Sequence, residues 1–150
     1  MGSSALDPLY LITDRNAPPS GDFLSALEAA LSGGVRFVQF REKDLPYAER
    51  LRLGQEIASL TSDHGACLIV NGDIDLADAL DADGVHLGKG TVSVSAMRAS
   101  GYAGLIGYSA HAGVEAADAF AEGADFVTLR TANSHPAPSL VSISSSVNSQ

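Results

Sequence analysis

Short runs of apolar and β-branched residues alternate along this chain with stretches whose apolar residues recur at helical spacing. The runs are Leu9-Tyr10-Leu11-Ile12, Phe37-Val38-Gln39-Phe40, Cys67-Leu68-Ile69-Val70, Val85-His86-Leu87, Leu105-Ile106-Gly107 and Phe126-Val127-Thr128-Leu129. Each is bounded by Gly, Asp or Asn and reads as a buried strand. Between them, helical faces are marked by Phe23, Leu24, Leu27 and Leu31, then by Leu53, Ile57 and Leu60 with Pro46 at the first turn. Three shorter helices follow, on Leu76 and Leu80, on Val94 and Met97, and on Val114, Ala117 and Phe120. Asp22 and Asp73 stand where a helix N-terminus favours a capping carboxylate.

Strand and helix recurring in this way predict right-handed crossovers and a parallel sheet, either open or closed. An open flavodoxin-like sheet is complete at 150 residues, whereas a closed (β/α)₈ barrel typically needs about 250 residues or at least about 200. Length alone favours the open sheet. Against it, the phrases Gly34-Val35-Arg36-Phe37-Val38, Ala82-Asp83-Gly84-Val85-His86 and Gly123-Ala124-Asp125-Phe126-Val127 rhyme at every second unit. Alternate strands of a barrel share an interior layer, so such a rhyme has a packing reason there.

Composition narrows the function. Nine Lys and Arg stand against eighteen Asp and Glu, for a net charge of −9, which argues against a nucleic-acid surface, since that needs clustered cations. No apolar run approaches a bilayer span and no signal-peptide layout opens the chain, so no membrane partner is expected and a cytoplasmic location is the expectation. Cys67, the single cysteine, lies in an apolar run and reads as core. After Arg130 the last twenty residues carry no Asp, Glu, Lys or Arg and seven serines. The expected organisation is a domain over residues 1–130 followed by a disordered uncharged tail over 131–150.

The cations are few but concentrated. Arg15, Arg41, Lys43, Lys89 and Arg130, five of the nine, fall just beyond strand carboxyl ends, the edge where α/β proteins do their chemistry. In an acidic protein this marks a local anion site, with phosphate the usual metabolite anion. The alternative is that each cation pairs with a nearby acid such as Glu42 or Asp44. The same edge gathers Gln39, Asn71, His86, Ser109 and His111. Gly88-Lys89-Gly90 lacks the spacing and the Ser or Thr of a nucleotide-binding P-loop, so an ATPase is rejected.

Five segments, Leu9-Tyr10-Leu11-Ile12-Thr13-Asp14, Val38-Gln39-Phe40-Arg41-Glu42-Lys43, Val70-Asn71, Ala82-Asp83-Gly84-Val85-His86-Leu87-Gly88 and Gly107-Tyr108-Ser109-Ala110-His111, resemble in order and spacing the thiamine-phosphate synthase and TenI family. The resemblance covers about residues 8 to 129. It implies a TIM-type (β/α) barrel, incomplete at about six βα units, and so reverses the preference for an open sheet. It also implies a place in thiamine biosynthesis. Synthase members join a pyrimidine methyl pyrophosphate to thiazole phosphate with Mg²⁺ and release pyrophosphate, whereas TenI-like members tautomerise thiazole carboxylate phosphate without a metal. By the same resemblance, Gln39, Arg41, Lys43 and Asn71 are pyrimidine and pyrophosphate contacts, Ser109 lies near the leaving group, and His111 is the tautomerase acid/base. Fixed positive charge suits a departing pyrophosphate, and imidazole titrates near cellular pH. Lys89, in place of the usual Gln, adds a cation at a phosphate site. His86 reads as a satisfied strand-end histidine.

Two departures bear on the reaction. The family's Mg²⁺-holding Asp positions read here Gly72 and Gly90-Thr91, and glycine offers a hard cation no side-chain oxygen. Asp73 is adjacent but is already the expected helix cap. After Leu129 the family's last two strands are not recognisable, which suggests an out-of-frame or alternatively terminated ending, exposed sheet edges through which copies would associate, and poor activity for the chain alone. Three readings stand: a synthase or tautomerase, a non-catalytic fragment binding a phosphorylated ligand, and an unrelated flavodoxin-like module.

Overall fold

The computed structural model describes residues 9–17, 22–130 and 143–144. They fall into two compact units, one ending at Val85 and the other starting at His86.

The first unit runs β1 (Tyr10–Ile12), α1 (Phe23–Ser32), β2 (Phe37–Phe40), α2 (Tyr47–Asp63), β3 (Cys67–Asn71) and α3 (Ile74–Ala79), and leads into β4 (Gly84–Leu87), within which the boundary falls. β2 lies between β1 and β3 and is parallel to both, with Ile12 opposite Gln39 and Gln39 opposite Ile69. A flavodoxin-like sheet would instead place its first strand between the second and third. The open-sheet alternative is therefore corrected: each crossover here returns the chain to the next position on the same side. Val38, Gln39 and Phe40 are all buried, as are Leu68, Ile69 and Val70, so both sheet faces are covered. The Phe40 side of β2 takes α2. A Cβ on Gly54 of that helix would stand 2.8 Å from the Phe40 ring and 2.6 Å from Leu80 Cδ1, so a residue without a side chain is what lets the helix approach. Gln39, one residue earlier on the strand, points to the opposite face.

Both expected caps form. Asp22 Oδ1 accepts from Ser25 N at 3.2 Å and Asp73 Oδ1 accepts from Leu76 N at 3.0 Å. Pro46 is itself the N-cap of α2, one residue earlier than a first-turn proline, with extended backbone and no side-chain cap bond.

The second unit contains α4 (Val94–Ala99), β5 (Leu105–Ala110), α5 (Gly113–Glu122), β6 (Phe126–Leu129) and β7 (Ile143–Ser144). β5 runs three residues past the apolar stretch that marks it in the sequence. Its extension Tyr108-Ser109-Ala110 is held by parallel pairing with Val127, Thr128 and Leu129, so it is the neighbour, rather than local hydrophobicity, that makes these residues a strand. β7 pairs antiparallel with β6, Val127 opposite Ser144 and Thr128 opposite Ile143. The rest of the expected tail lies outside the described residues.

The sequence rhyme has a hydrogen-bonding basis. Asp83 N donates to Leu68 O at 2.9 Å while Asp83 Oδ2 accepts from Leu68 N at 2.8 Å. Asp125 repeats the pair on Ile106, at 2.8 Å and 2.9 Å. Each aspartate thus ties the lead-in of one strand to the start of the preceding one, satisfying backbone groups that a buried edge would otherwise strand. Two residues before these aspartates the chain turns with positive φ, at Asp81 (51°) and Gly123 (115°), as it does at Gly34 (113°), two residues before Arg36, which holds the matching place in the third phrase. No helix among the described residues is long and apolar enough to cross a membrane.

Candidate functional site

In the first unit a chain of polar side chains crosses the face away from α2, from Tyr10 at the start of β1 through Gln39 near the end of β2 to Asn71 at the end of β3. Gln39 is 2% exposed, and a carboxamide buried that deeply must be bonded at both ends. Its Nε2 donates to the Tyr10 hydroxyl at 3.0 Å, and its Oε1 accepts from Asn71 Nδ2 at 2.8 Å. Burial raises the Tyr10 phenol well above its ordinary value, against a smaller lowering by the bond from Gln39, so Tyr10 is a neutral anchor and not a base. The relay fixes the Asn71 carboxamide plane. Asn71 is half-buried, so its carbonyl oxygen and second amide hydrogen are directed by Gln39 rather than by solvent.

Beyond β2 the run Arg41-Glu42-Lys43-Asp44 alternates in sign. Glu42 is 4% exposed and accepts from Thr13 Oγ1 at 2.8 Å, from Arg15 N at 3.2 Å and from Arg15 Nη1 at 3.1 Å. Asp44 takes the two arms of the Arg15 guanidinium at 2.7 Å each. Arg15 hydrogen bonding, with a smaller coulombic contribution, lowers the Asp44 carboxyl to about 2, and the same pair raises the Arg15 guanidinium further above its already high value. Arg15 is therefore corrected from an anion-binding cation to one engaged with acids. Arg41 and Lys43 are exposed, and neither is in ion-pair range of a carboxylate among the described residues. The Arg41 backbone is held by N–H donation to Thr13 Oγ1 at 2.9 Å.

The second unit has its own polar cluster. His86, 2% exposed, lies with Nε2 2.7 Å from Ser109 Oγ, and Thr128 Oγ1 donates to Ser109 at 3.4 Å. The imidazole is tilted against the Phe126 ring at a centroid distance of 5.9 Å. His86 is thus bonded at its strand, as expected, and its partner is Ser109. His111 is exposed, and its backbone N donates to Glu115 Oε2 at 2.9 Å at the start of α5. Lys89 is exposed on a turn closed by Thr91, whose hydroxyl accepts from Gly88 N at 3.1 Å and donates to Gly88 O at 2.8 Å. Arg130 is exposed, with its backbone N bonded to Ala110 O at 3.0 Å.

Gln39 and Asn71 are thus brought into one network, with Arg41 and Lys43 on the loop beyond it, and Ser109 is brought to His86. Tyr10, Thr13, Glu42 and Thr128 are participants that patterning does not single out. Tyr10 passes as one of the strand's hydrophobic residues and Glu42 as part of a solvated charge run.

The described residues do not make a magnesium site. Gly72, at φ 66°, offers no side-chain ligand. Asp73 is committed twice, through Oδ1 to the Leu76 backbone at 3.0 Å and through Oδ2 to Arg50 Nη2 at 3.6 Å. No group of three or more His, Cys, Asp or Glu side chains among the described residues is arranged to hold a metal ion.

A protein-family model described as thiamine monophosphate synthase matches residues 9–144. The chain is 47% identical over 132 residues to a protein of Geobacter sulfurreducens, covering 87% of this chain and 61% of that one. It is 42% identical over 120 residues to the thiamine-phosphate synthase of Nostoc sp., covering 79% of this chain and 33% of that one. Among solved structures it is similar to a thiamine phosphate pyrophosphorylase from Pyrococcus furiosus, with a TM-score of 0.74 and 32% identity over 82% of this chain and 59% of that one. The chain thus spans from a third to about three fifths of the length of these proteins. The fold is an incomplete TIM-type (β/α) barrel, with six strands alternating with five helices before the short β7 among the described residues.

Proposed function

The chain belongs to the thiamine monophosphate synthase family, and from that premise we propose that it takes a pyrimidine methyl pyrophosphate for transfer of the pyrimidine methyl group to thiazole phosphate with release of pyrophosphate. The observation that carries this reading is the Tyr10–Gln39–Asn71 relay on the strands that lead to Arg41 and Lys43, two exposed cations in ion-pair range of no carboxylate among the described residues. Asn71, fixed by Gln39, presents one donor and one acceptor, the complement of an aminopyrimidine edge. Arg41 and Lys43 supply the diphosphate with fixed positive charge, Arg41 through a planar fork suited to phosphate oxygens. As the C–O bond to the leaving group breaks, negative charge grows on the pyrophosphate, and cations already in place lower that barrier. Taken by itself, the second unit offers Ser109, whose hydroxyl is held by His86, as a separate group able to hydrogen-bond a phosphate oxygen.

Titration calorimetry with the pyrimidine methyl pyrophosphate tests this. Saturable binding is expected, weakened at least about tenfold in Arg41→Ala, since hydrogen bonds to charged groups contribute about 1.5–3 kcal/mol. No affinity in the wild-type chain overturns it. Turnover with thiazole phosphate, read as pyrophosphate released, is followed alongside.

One observation favours a second reading, metal-independent tautomerisation of thiazole carboxylate phosphate with His111 as acid/base. The side-chain oxygens that would bind Mg²⁺ are replaced at Gly72 or committed at Asp73. Assaying both reactions with and without chelator separates the two: chelator-sensitive thiamine phosphate formation supports a Mg²⁺-dependent synthase, and chelator-insensitive tautomerisation the alternative.

A further inference from the structure

The loop after β2 presents an electrostatic problem. Arg41, Glu42, Lys43 and Asp44 are consecutive and formally neutral as a set, so left to themselves the acids would compete with any anion for the two cations. Resting on the reading of this rim as an anion site, we propose that Arg15 is a positioning residue that keeps Arg41 and Lys43 available to phosphate by binding the two carboxylates interleaved with them.

Arg15 comes from the segment after β1, 27 residues before Glu42 and 29 before Asp44. Its Nη1 and Nη2 engage both oxygens of Asp44 at 2.7 Å, and Nη1 also reaches Glu42 Oε1 at 3.1 Å. The guanidinium is thereby spent on acids and is not itself a phosphate ligand. Glu42 is drawn into the protein, 4% exposed, where Thr13 and the Arg15 backbone complete its bonds. The Thr13 hydroxyl that donates to Glu42 also accepts from Arg41 N at 2.9 Å, so the arrangement that removes the acid also sets the backbone from which Arg41 projects. Two-armed bonding matters here, because a lysine ammonium is a point charge and lacks the fork that holds a carboxylate by both oxygens.

The test is a cycle of Arg15→Met and Asp44→Asn, read by calorimetric titration of the full chain with inorganic pyrophosphate. Arg15→Met is expected to weaken binding about three- to tenfold at low ionic strength, an effect that shrinks as salt screens the released carboxylates. Adding Asp44→Asn to that variant is expected to restore most of the loss, since the exposed released charge is then gone while Glu42 keeps its bonds from Thr13 Oγ1 and the Arg15 backbone. A merely structural role for Arg15 predicts no such rescue. Asp44→Asn alone, at an exposed side chain, guards against a misfolded Arg15 variant: it is expected not to weaken binding, and a loss there overturns the proposal. So does an Arg15→Met protein that binds as tightly as wild type, or a double variant as weak as Arg15→Met. A wild-type chain with no affinity for pyrophosphate overturns the anion-site reading itself, and the proposal with it.

Discussion

Replacing Gly107 by alanine would place a methyl group 2.8 Å from His86 Nδ1 and against the Phe126 ring. Neither ring has room to yield. His86 is 2% exposed and bonded to Ser109 at 2.7 Å, and Phe126 is buried against it on β6. Forcing a methyl into a filled interior costs about 1–3 kcal/mol, while the reduced backbone freedom of alanine returns about 0.5–1 kcal/mol. Because the methyl meets two buried rings, the upper part of that cost, about 2–3 kcal/mol, applies, and the expected net loss is about 1–2.5 kcal/mol. For a chain of this size that corresponds to a fall in Tm of roughly 2–10 °C. Urea unfolding followed by circular dichroism measures it, with Gly88→Ala as the control. A Cβ on Gly88 would meet only Ser109 Cβ, at an ordinary 3.7 Å, so that variant should stay within about 0.5 kcal/mol of wild type. A Gly107→Ala protein as stable as wild type, or a Gly88→Ala protein that falls further, would refute the packing on which the His86–Ser109 contact rests.

Asp81→Gly should stabilise the chain by about 0.5–1 kcal/mol, because the positive φ of 51° strains a residue with a Cβ; thermal melts that fall would contradict this. Gly54→Ala should destabilise by about 1–2 kcal/mol despite better helix propensity, through collision with Phe40 and Leu80, and urea midpoints decide it. The Asp44 carboxyl, lowered from 3.8 to about 2 by Arg15, contributes its stabilisation in full above its ordinary value and loses it as pH falls through about 2. Carboxyl NMR should show that midpoint in wild type and an ordinary one in Arg15→Met. Burial and then Asp83 raise the Cys67 thiol above its ordinary value, so its reaction with a disulfide reagent at neutral pH should be slower than that of a free cysteine.

The parallel strands and capped helices were legible because their signals are local. Val38 and Phe40 flank Gln39 in a four-residue run, and Asp22 and Asp73 stand three residues before the amides they cap. Gln39 was legible for a related reason, as an amide inside an apolar strand has to be satisfied by something. Its partners Tyr10 and Asn71 lie 29 and 32 residues away, so only the register of β1, β2 and β3 reveals them. Arg15 stands between two readings in the sequence on the same account, and the structure selects pairing with Glu42 and Asp44 over phosphate. A cation after a strand looks the same in sequence whether it meets phosphate or carboxylate, and its acids lie across the sheet. The end of β5 was missed because Tyr108-Ser109-Ala110 carries no apolar pattern and is a strand only by virtue of β6.

On the proposed function, the carboxyl ends of β2 and β3 hold a pyrimidine diphosphate between a fixed carboxamide and two cations that have no ion-pair partner among the described residues. Two-dimensional NMR of the side-chain amides and guanidinium groups during titration with the pyrimidine methyl pyrophosphate tests it most directly. The Asn71 and Gln39 amides and the Arg41 guanidinium should shift together along one saturating isotherm, while Arg98, which is bonded to the carbonyls of Tyr102, Gly104 and Gly123, stays still. Binding that leaves Asn71, Gln39 and Arg41 unmoved would contradict the account.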